Sequence, residues 1–313
     1  MSTPPGWITA RTIAKYDHYP YDNLLFVENK VCPTVGIRKL ARSKFDRASG
    51  RHVPRFDHYC GWLGNSVGEE NYRYFLLFLA VHVGMCTYGT IILVRCFYDE
   101  IVESDLLNAT FYLAGTGEEV KASKIVVFQY LMARHFALAG ALLLMSVMGL
   151  VLAAFLSFHL YITAFGMTTN EWYKWRQVKR WHRNAKKEYD AAVKEGRAVE
   201  TAETKIQIVD GTDGDVGCTG PTGGSDTVGQ SKDKEDDTAK KDTNGGVDDD
   251  GAVTNPGPFP ENIYDRGIRE NFLEVIFPRS LRSDAQERWK KAYAEMEAHN
   301  NEDRGDGNKQ KVQ

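Results

Sequence analysis

The stretch Arg55-Phe56-Asp57-His58-Tyr59-Cys60-Gly61-Trp62 sets a carboxylate, an imidazole and a thiol close together in the chain. Such a set can do two kinds of chemistry. A cysteine becomes a nucleophile when a neighbouring base takes its proton, because a free thiol has a pKa of about 8.5 and is mostly protonated at neutral pH. The same groups can instead ligate a metal. Cys32, His52, His58 and Cys60 would make one Cys2His2 site, turning the sulfur into a ligand and the protein into a binding module. The spacing of His58 and Cys60 is tighter than usual zinc-finger spacings. Chance composition is the third reading, so the rest of the chain must arbitrate.

The elements that would position this cluster are apolar. Phe75 to Val94 and Phe136 to Phe165 carry no Asp, Glu, Lys or Arg, and each is long enough to cross a bilayer core of about 30 Å. Tyr72, Tyr74, Phe97 and Tyr98 flank the first run as interfacial aromatics do. Basic segments lie before the first run (Arg38 to Arg55) and after the second (Tyr173 to Lys187), while the intervening loop is mostly acidic. The positive-inside rule puts both ends in the cytosol and the loop on the far side, where Asn108-Ala109-Thr110 forms a glycosylation sequon. His82 and His159 fall within the apolar runs. A polar residue at membrane depth is either a functional group or a helix-packing hydrogen bond.

The remaining composition narrows the classes. The chain has 313 residues, a formal charge of −3 and five cysteines at irregular spacing, which excludes a secreted disulfide framework. Cys86 and Cys96 read as packing residues and Cys218 as an unstructured thiol. A basic patch abutting a membrane span argues against nucleic acid as a partner. No signal peptide is visible at the N-terminus. Residues 199–258 are rich in Gly, Asp, Thr, Ser and Lys, too polar to offset their ordering entropy, and are expected to be a disordered linker. Order is expected to resume at 259–299, with a surface helix from Arg282 to His299 capped by Ser283 with Gln286 behind it. A polar tail, 300–313, follows.

Taken together, these stretches resemble the DHHC protein S-acyltransferases. The family's Asp-His-His-Cys is similar to Asp57-His58-Tyr59-Cys60. Tyr19 to Phe26 and Cys32 to Lys44 resemble the opening of its cysteine-rich domain. Thr168-Thr169-Asn170-Glu171 resembles its Thr-Thr-x-Glu motif, and Asn262 to Phe277, with Asn271, its C-terminal Asn-aromatic element. The resemblance implies a mainly α-helical integral membrane protein with at least two transmembrane helices and a small, irregular cytosolic catalytic domain. It divides the chain into an N-terminal cytosolic segment (1–31), the catalytic domain (32–74), a span (75–94), a lumenal loop (95–131), a second span (136–165) and a cytosolic segment with the Thr-Thr-x-Glu motif (166–198). Family members usually carry two further spans before this domain. Met1 precedes the matching region closely, so the chain is either N-terminally incomplete or a two-span form.

The family's domain holds two structural zinc ions. Placed on this sequence without gaps, one site falls on Cys32, Val35, Phe45 and His52, the other on Asp46, Ser49, Tyr59 and Ser66. Zinc needs four N, O or S donors; Val35 and Phe45 offer none, and the second set offers no thiolate. The expectation is no stoichiometric metal and no bound cofactor. Apolar packing by Phe45, Val35 and Tyr59, with Asp46 paired to Arg47 or Arg51, would take over.

What the resemblance implies for chemistry is thioester exchange. Cys60 would attack a long-chain acyl-CoA such as palmitoyl-CoA, with His58 as base and Asp57 supporting the imidazolium. The acyl group would then pass to cytosol-facing cysteines of membrane-associated proteins. Lys39, Arg42 and Lys44 would meet the CoA phosphates, while the acyl chain lies among the spans and membrane lipid. Thr168, Thr169, Glu171 and Asn271 would be structural contacts holding the domain on the membrane, with helix-end capping also open to the threonines. The implied location is the endomembrane system, ER or Golgi. The alternative is a catalytically inactive membrane scaffold of the same family.

Overall fold

A computed structural model describes residues 3–112, 115, 117–196, 199–200 and 253–295. In chain order these form α1 (Ile13–Tyr16), β1 (Lys44–Asp46), β2 (Arg51–Val53), β3 (His58–Cys60), β4 (Asn65–Val67), α2 (Tyr72–Glu103), β5 (Thr110–Tyr112), β6 (Glu119–Lys121), α3 (Lys124–Arg134), α4 (Phe136–Ala164), α5 (Thr169–Lys194), β7 (Val199–Glu200), β8 (Val253–Thr254) and α6 (Ile268–Ile276). A 3-10 turn, Arg279–Leu281, and helical residues 283–295 follow. Most of the linker expected at 199–258, and the tail at 300–313, lie outside the described residues.

α2 and α4 are long and apolar enough to cross a membrane, at 32 and 29 residues. Leu77, Val81, Met85, Leu143, Leu144 and Leu150 on these helices are exposed. In a bilayer they face lipid, where water would penalise them. The helices pack on each other through small residues, as membrane helices do. A Cβ on Gly149 would lie 3.2 Å from Cys86 Cβ, and one on Gly89 would lie 3.5 Å from Met145.

The loop expected at 95–131 is more ordered than its polarity suggests. α2 continues to Glu103, β5 and β6 pair antiparallel, and α3 begins at a Ser123 cap whose Oγ accepts from Val126 N at 3.3 Å. Leu106, Val127 and Leu131 form a small core beneath it.

Two antiparallel hairpins, β1–β2 and β3–β4, carry the cluster. They are tied together where Ser66 Oγ donates to Asp46 Oδ2 at 2.6 Å, with Ser49 N donating to the same oxygen at 2.9 Å. Asp46 Oδ1 also accepts from Ala48 N at 3.3 Å, so the carboxylate is held both by its own hairpin and by Ser66. Val35 is exposed and Tyr59 is 45% exposed, so neither packs into a core; Phe45 does meet the His52 ring, at 5.7 Å between centroids.

α4 ends in a Schellman turn: Gly166 N donates to Thr163 O at 2.9 Å and Met167 N to Ile162 O at 2.9 Å. Gly166 has φ +65, and a Cβ there would stand 2.5 Å from Tyr264 O, so only glycine fits. This stop places Thr168 to open α5.

The described chain divides into two compact units. One holds the residues up to Tyr21, Glu28 to Trp172 and those from Ile263 onward. The other holds Asp22 to Val27 and the described part of Tyr173 to Asn262. Within the second, Asp22 Oδ1 accepts from the backbone N–H groups of Leu24, Leu25 and Phe26, and Lys174 lies over the Phe26 ring. The C-terminal helix starts at Ser283 itself, the residue expected to cap it. Gln286 N donates to Arg282 O, and the Gln286 side chain reaches back to Ser280 O.

Candidate active site

Alternation along β3 builds the site. His58 and Cys60, two apart, share one face of the strand and Tyr59 points the other way. That face is turned toward the spans. Cys60 is buried in a cluster with Val67, Tyr72, Phe75, Leu79 and Val275, and the His58 ring meets the Phe75 ring edge-on at 5.0 Å. The nucleophile and base candidates therefore lie against the ends of the membrane helices.

Asp57 is buried and fully engaged. Its Oδ2 meets His58 Nδ1 at 2.6 Å and accepts from Thr169 Oγ1 at 2.9 Å; its Oδ1 accepts from Thr169 N at 2.7 Å. Burial works against ionisation of this carboxyl. The His58 hydrogen bond and charge and the Thr169 N–H outweigh that and hold it below the usual carboxylate range. His58 thus offers Asp57 its Nδ1 and keeps Nε2 for a second proton transfer.

The four residues of the Thr-Thr-Asn-Glu stretch do three jobs. Thr168 and Glu171 form a reciprocal capping box, with Glu171 N donating to Thr168 Oγ1 at 3.2 Å and Thr168 N to Glu171 Oε2 at 2.9 Å. Thr169 supports Asp57. Glu171 also receives both nitrogens of Arg42, Nε to Oε1 at 2.7 Å and Nη2 to Oε2 at 2.6 Å, while Nη2 donates to Gly166 O at 2.7 Å.

Arg42 therefore departs from its expected place among the phosphate-binding residues. It is 1% exposed and saturated by a bidentate ion pair inside the protein. Burial opposes its charge, but Glu171 overrides this and raises its pKa further. Lys44 is exposed and Lys39 half-buried, and neither is drawn into the cluster around Asp57. Asn271, in α6, donates to Ala164 O at 2.9 Å and to Asp265 Oδ1 at 2.8 Å, so it clasps the end of α4.

Sequence reasoning missed the second buried charge centre. Glu274 accepts from Tyr19 Oη at 2.9 Å and faces Arg279 at 3.1 Å, Arg42 at 3.5 Å and Arg55 at 4.0 Å. Burial alone would raise its pKa, yet the arginines bring it down to about 2. Its spacing of three from Asn271 on α6 is the one sequence signal, since residues three apart share a helix face. Arg42 and Arg55 both adopt left-handed backbone, φ 62 and 43. That conformation is strained for a non-glycine residue, and burial of both guanidinium groups against Glu274 holds them in it.

The structure does not bring Cys32, His52, His58 and Cys60 together. Among the described residues, the one gathered set of His, Cys, Asp or Glu ligand atoms is Asp57, His58 and His159, within 4.8 Å of one another. Tetrahedral zinc ligands stand about 3.3 Å apart. The 2.6 Å contact of Asp57 with His58 is instead a hydrogen-bond distance with a proton between. The eight family zinc positions do not fit the ion either. Ser49, Ser66 and Asp46 hydrogen-bond one another, and Val35 and Phe45 have no donor atom.

The family model described as DHHC palmitoyltransferase matches residues 25–176. The chain is 35% identical over 180 residues to Palmitoyltransferase ZDHHC4 of Mus musculus, covering 56% of this chain and 52% of that protein. It is 36% identical over 177 residues to the Bos taurus ZDHHC4, covering 55% and 50%. It is 32% identical over 179 residues to Palmitoyltransferase SWF1 of Yarrowia lipolytica, covering 56% and 44%. The chain thus spans about half the length of the curated relatives it matches. The strand that carries Cys60, the Thr169-held carboxylate and the two apolar helices all fall inside residues 25–176, the segment that matches the DHHC palmitoyltransferase family model.

Proposed function

We propose that the chain is a protein S-acyltransferase that takes a long-chain acyl group from acyl-CoA onto Cys60 and passes it to protein cysteines. The observation that carries this reading is the Asp57–His58 pair, anchored by Thr169 and sharing a strand face with Cys60 at the mouth of α2 and α4. His58 would accept the Cys60 proton, and Asp57 would stabilise the imidazolium. Exchange of one thioester for another is nearly isoenergetic, so neither ATP nor a metal is needed. The double displacement should give ping-pong kinetics.

The acyl chain would lie along the apolar spans and the CoA head in water, with Lys39 and Lys44 as its cationic contacts. Acceptors would be membrane-associated proteins with cytosolic cysteines. The basic flanks and the exposed Asn108 sequon on the opposite loop support a domain facing the cytosol, in a membrane we place in the ER or Golgi.

The test is labelling of the detergent-solubilised protein with an alkyne-tagged palmitoyl-CoA. Wild type takes hydroxylamine-sensitive label and Cys60→Ala takes none. His58→Ala slows labelling by about 100-fold or more, while Tyr59→Phe, on the other strand face, labels like wild type. An unlabelled wild type would leave the non-catalytic scaffold as the function.

A further inference from the structure

His159, in α4, is buried beside the Asp57–His58 pair, with its Nδ1 3.9 Å from Asp57 Oδ2, beyond hydrogen-bond distance. Its Nδ1 lies 3.1 Å from Tyr72 Oη, which lies 3.2 Å from Thr163 Oγ1. Its Nε2 is buried and meets no hydrogen-bond partner. The direction of this relay follows from counting protons. If Thr163 donates to Tyr72 and Tyr72 to Nδ1, the neutral imidazole carries its proton on Nε2, and that N–H alone is unsatisfied. The reverse direction strands both the Thr163 hydroxyl proton and the Nε2 lone pair. The first arrangement leaves fewer buried polar atoms unmet and is favoured.

The unsatisfied donor sits in a dry aromatic box. The His159 ring meets Phe155 at 4.6 Å, Phe75 at 4.9 Å and Phe158 at 5.5 Å, with the His58 ring at 5.7 Å. Phe75 belongs to the same apolar cluster as Cys60. Packing accounts for the ring's burial; it does not account for an N–H left without an acceptor next to the base and nucleophile candidates.

We propose that His159 Nε2–H donates a hydrogen bond to the thioester carbonyl oxygen of bound acyl-CoA and stabilises the charge that develops there. This rests on the acyl-transfer reading above. As the Cys60 sulfur bonds to the carbonyl carbon, His58 takes the thiol proton and the C=O π pair moves onto oxygen, where Nε2–H receives it. Collapse of that pair re-forms C=O and breaks the bond to the CoA sulfur, which leaves with the proton returned by His58. His159 neither gains nor loses a proton. A donor fixed in advance in a water-excluded site favours the transition state without reorganising. Tyr72 and Thr163 fix the tautomer that makes Nε2 the donor.

The experiment compares two reactions of the same sulfur. Acylation by alkyne-tagged palmitoyl-CoA passes through a charged carbonyl oxygen. Alkylation by iodoacetamide, followed on the Cys60 peptide by mass spectrometry, is a displacement at saturated carbon and does not. In His159→Phe, acylation is expected to fall about 100-fold while alkylation stays within about twofold of wild type. His159→Gln, which keeps an N–H donor, should recover part of the loss. Should His159→Phe lose its thermal transition, His159→Met, which fills the space without a donor, is read by the same pair of rates. Acylation at the wild-type rate in the donorless variant overturns the proposal. So does an equal fall in both rates, which would make His159 a positioning residue for His58 and Asp57. A wild type that is alkylated by iodoacetamide but never acylated sinks the acyl-transfer reading itself, a result distinct from either.

Discussion

Thr169 is the residue that orients the carboxylate of the proposed acyl transfer. Its backbone N–H and hydroxyl each take one oxygen of Asp57, leaving that carboxylate a single orientation toward His58 Nδ1. Thr169→Val keeps the backbone bond and the shape but removes the hydroxyl donor. A hydrogen bond to a charged group contributes about 1.5 kcal/mol or more, so Cys60 acylation should slow by about tenfold with the thermal midpoint little changed. Stopped-time labelling with alkyne-tagged palmitoyl-CoA measures the first and a thermal shift the second. A variant as fast as wild type would remove Thr169 from the reaction. The closeness of Cys60 and His58 was legible along the chain and the resemblance supplied their roles, but their shared strand face came with the structure. Thr169 read as a structural or capping residue, since nothing local says which acid its hydroxyl will meet.

The two hairpins raise a question of what holds elements this short. Strands of three residues bury little, and in small domains a metal often supplies the missing cohesion. Here Asp46 gathers Ser66 Oγ and Ser49 N on one oxygen, joining β1–β2 to β3–β4 through buried, charge-assisted bonds. Asp46→Ala removes both and should destabilise the domain by about 3 kcal/mol. Prolonged chelation of the wild type should leave its thermal midpoint unchanged. Elemental analysis giving two zinc ions per chain, or a midpoint that collapses with chelator, would refute the hydrogen-bonded joint. The loss of donor types at Val35 and Phe45 was plain from residue identity alone. The serine–aspartate joint was not: Asp46 and Ser66 lie on different hairpins, and the nearby arginines offered a more obvious partner.

Across the unit that carries Asp57, His58 and Cys60, stability depends on the charge buried around Glu274. Glu274 on α6 faces Arg279, five residues on, and Arg42 and Arg55, which come from a distant part of the chain. Its folded pKa of about 2 lies below its ordinary value of 4.5. A depressed carboxyl stabilises the fold fully above the ordinary value and loses that contribution as pH falls from about 4.5 toward about 2. The contribution at neutral pH is roughly 3 kcal/mol. Acid unfolding of the detergent-solubilised protein, followed by tryptophan fluorescence, should therefore steepen below about pH 4.5. Glu274→Gln should flatten that decline and lower the midpoint at neutral pH, because Arg55 and Arg279 then lose a buried counter-charge while Arg42 keeps Glu171. An unchanged acid profile in the variant would show that the arginines find other partners.

The span helices and the closeness of Asp57, His58 and Cys60 could be read along the chain, because hydropathy and residue spacing are local. The strand at His58–Cys60, the capping box at Thr168 and the glycine stop at Gly166 came only with the fold. Folding in three dimensions settled the partnerships: Arg42 with Glu171, 129 positions away, and Thr169 with Asp57, 112 away. It also settled the Tyr72 and Thr163 relay to His159. A cation looks the same in sequence whether it awaits a phosphate or is neutralised inside the protein. Its role follows from desolvation and from which carboxylate the path of the chain delivers to it.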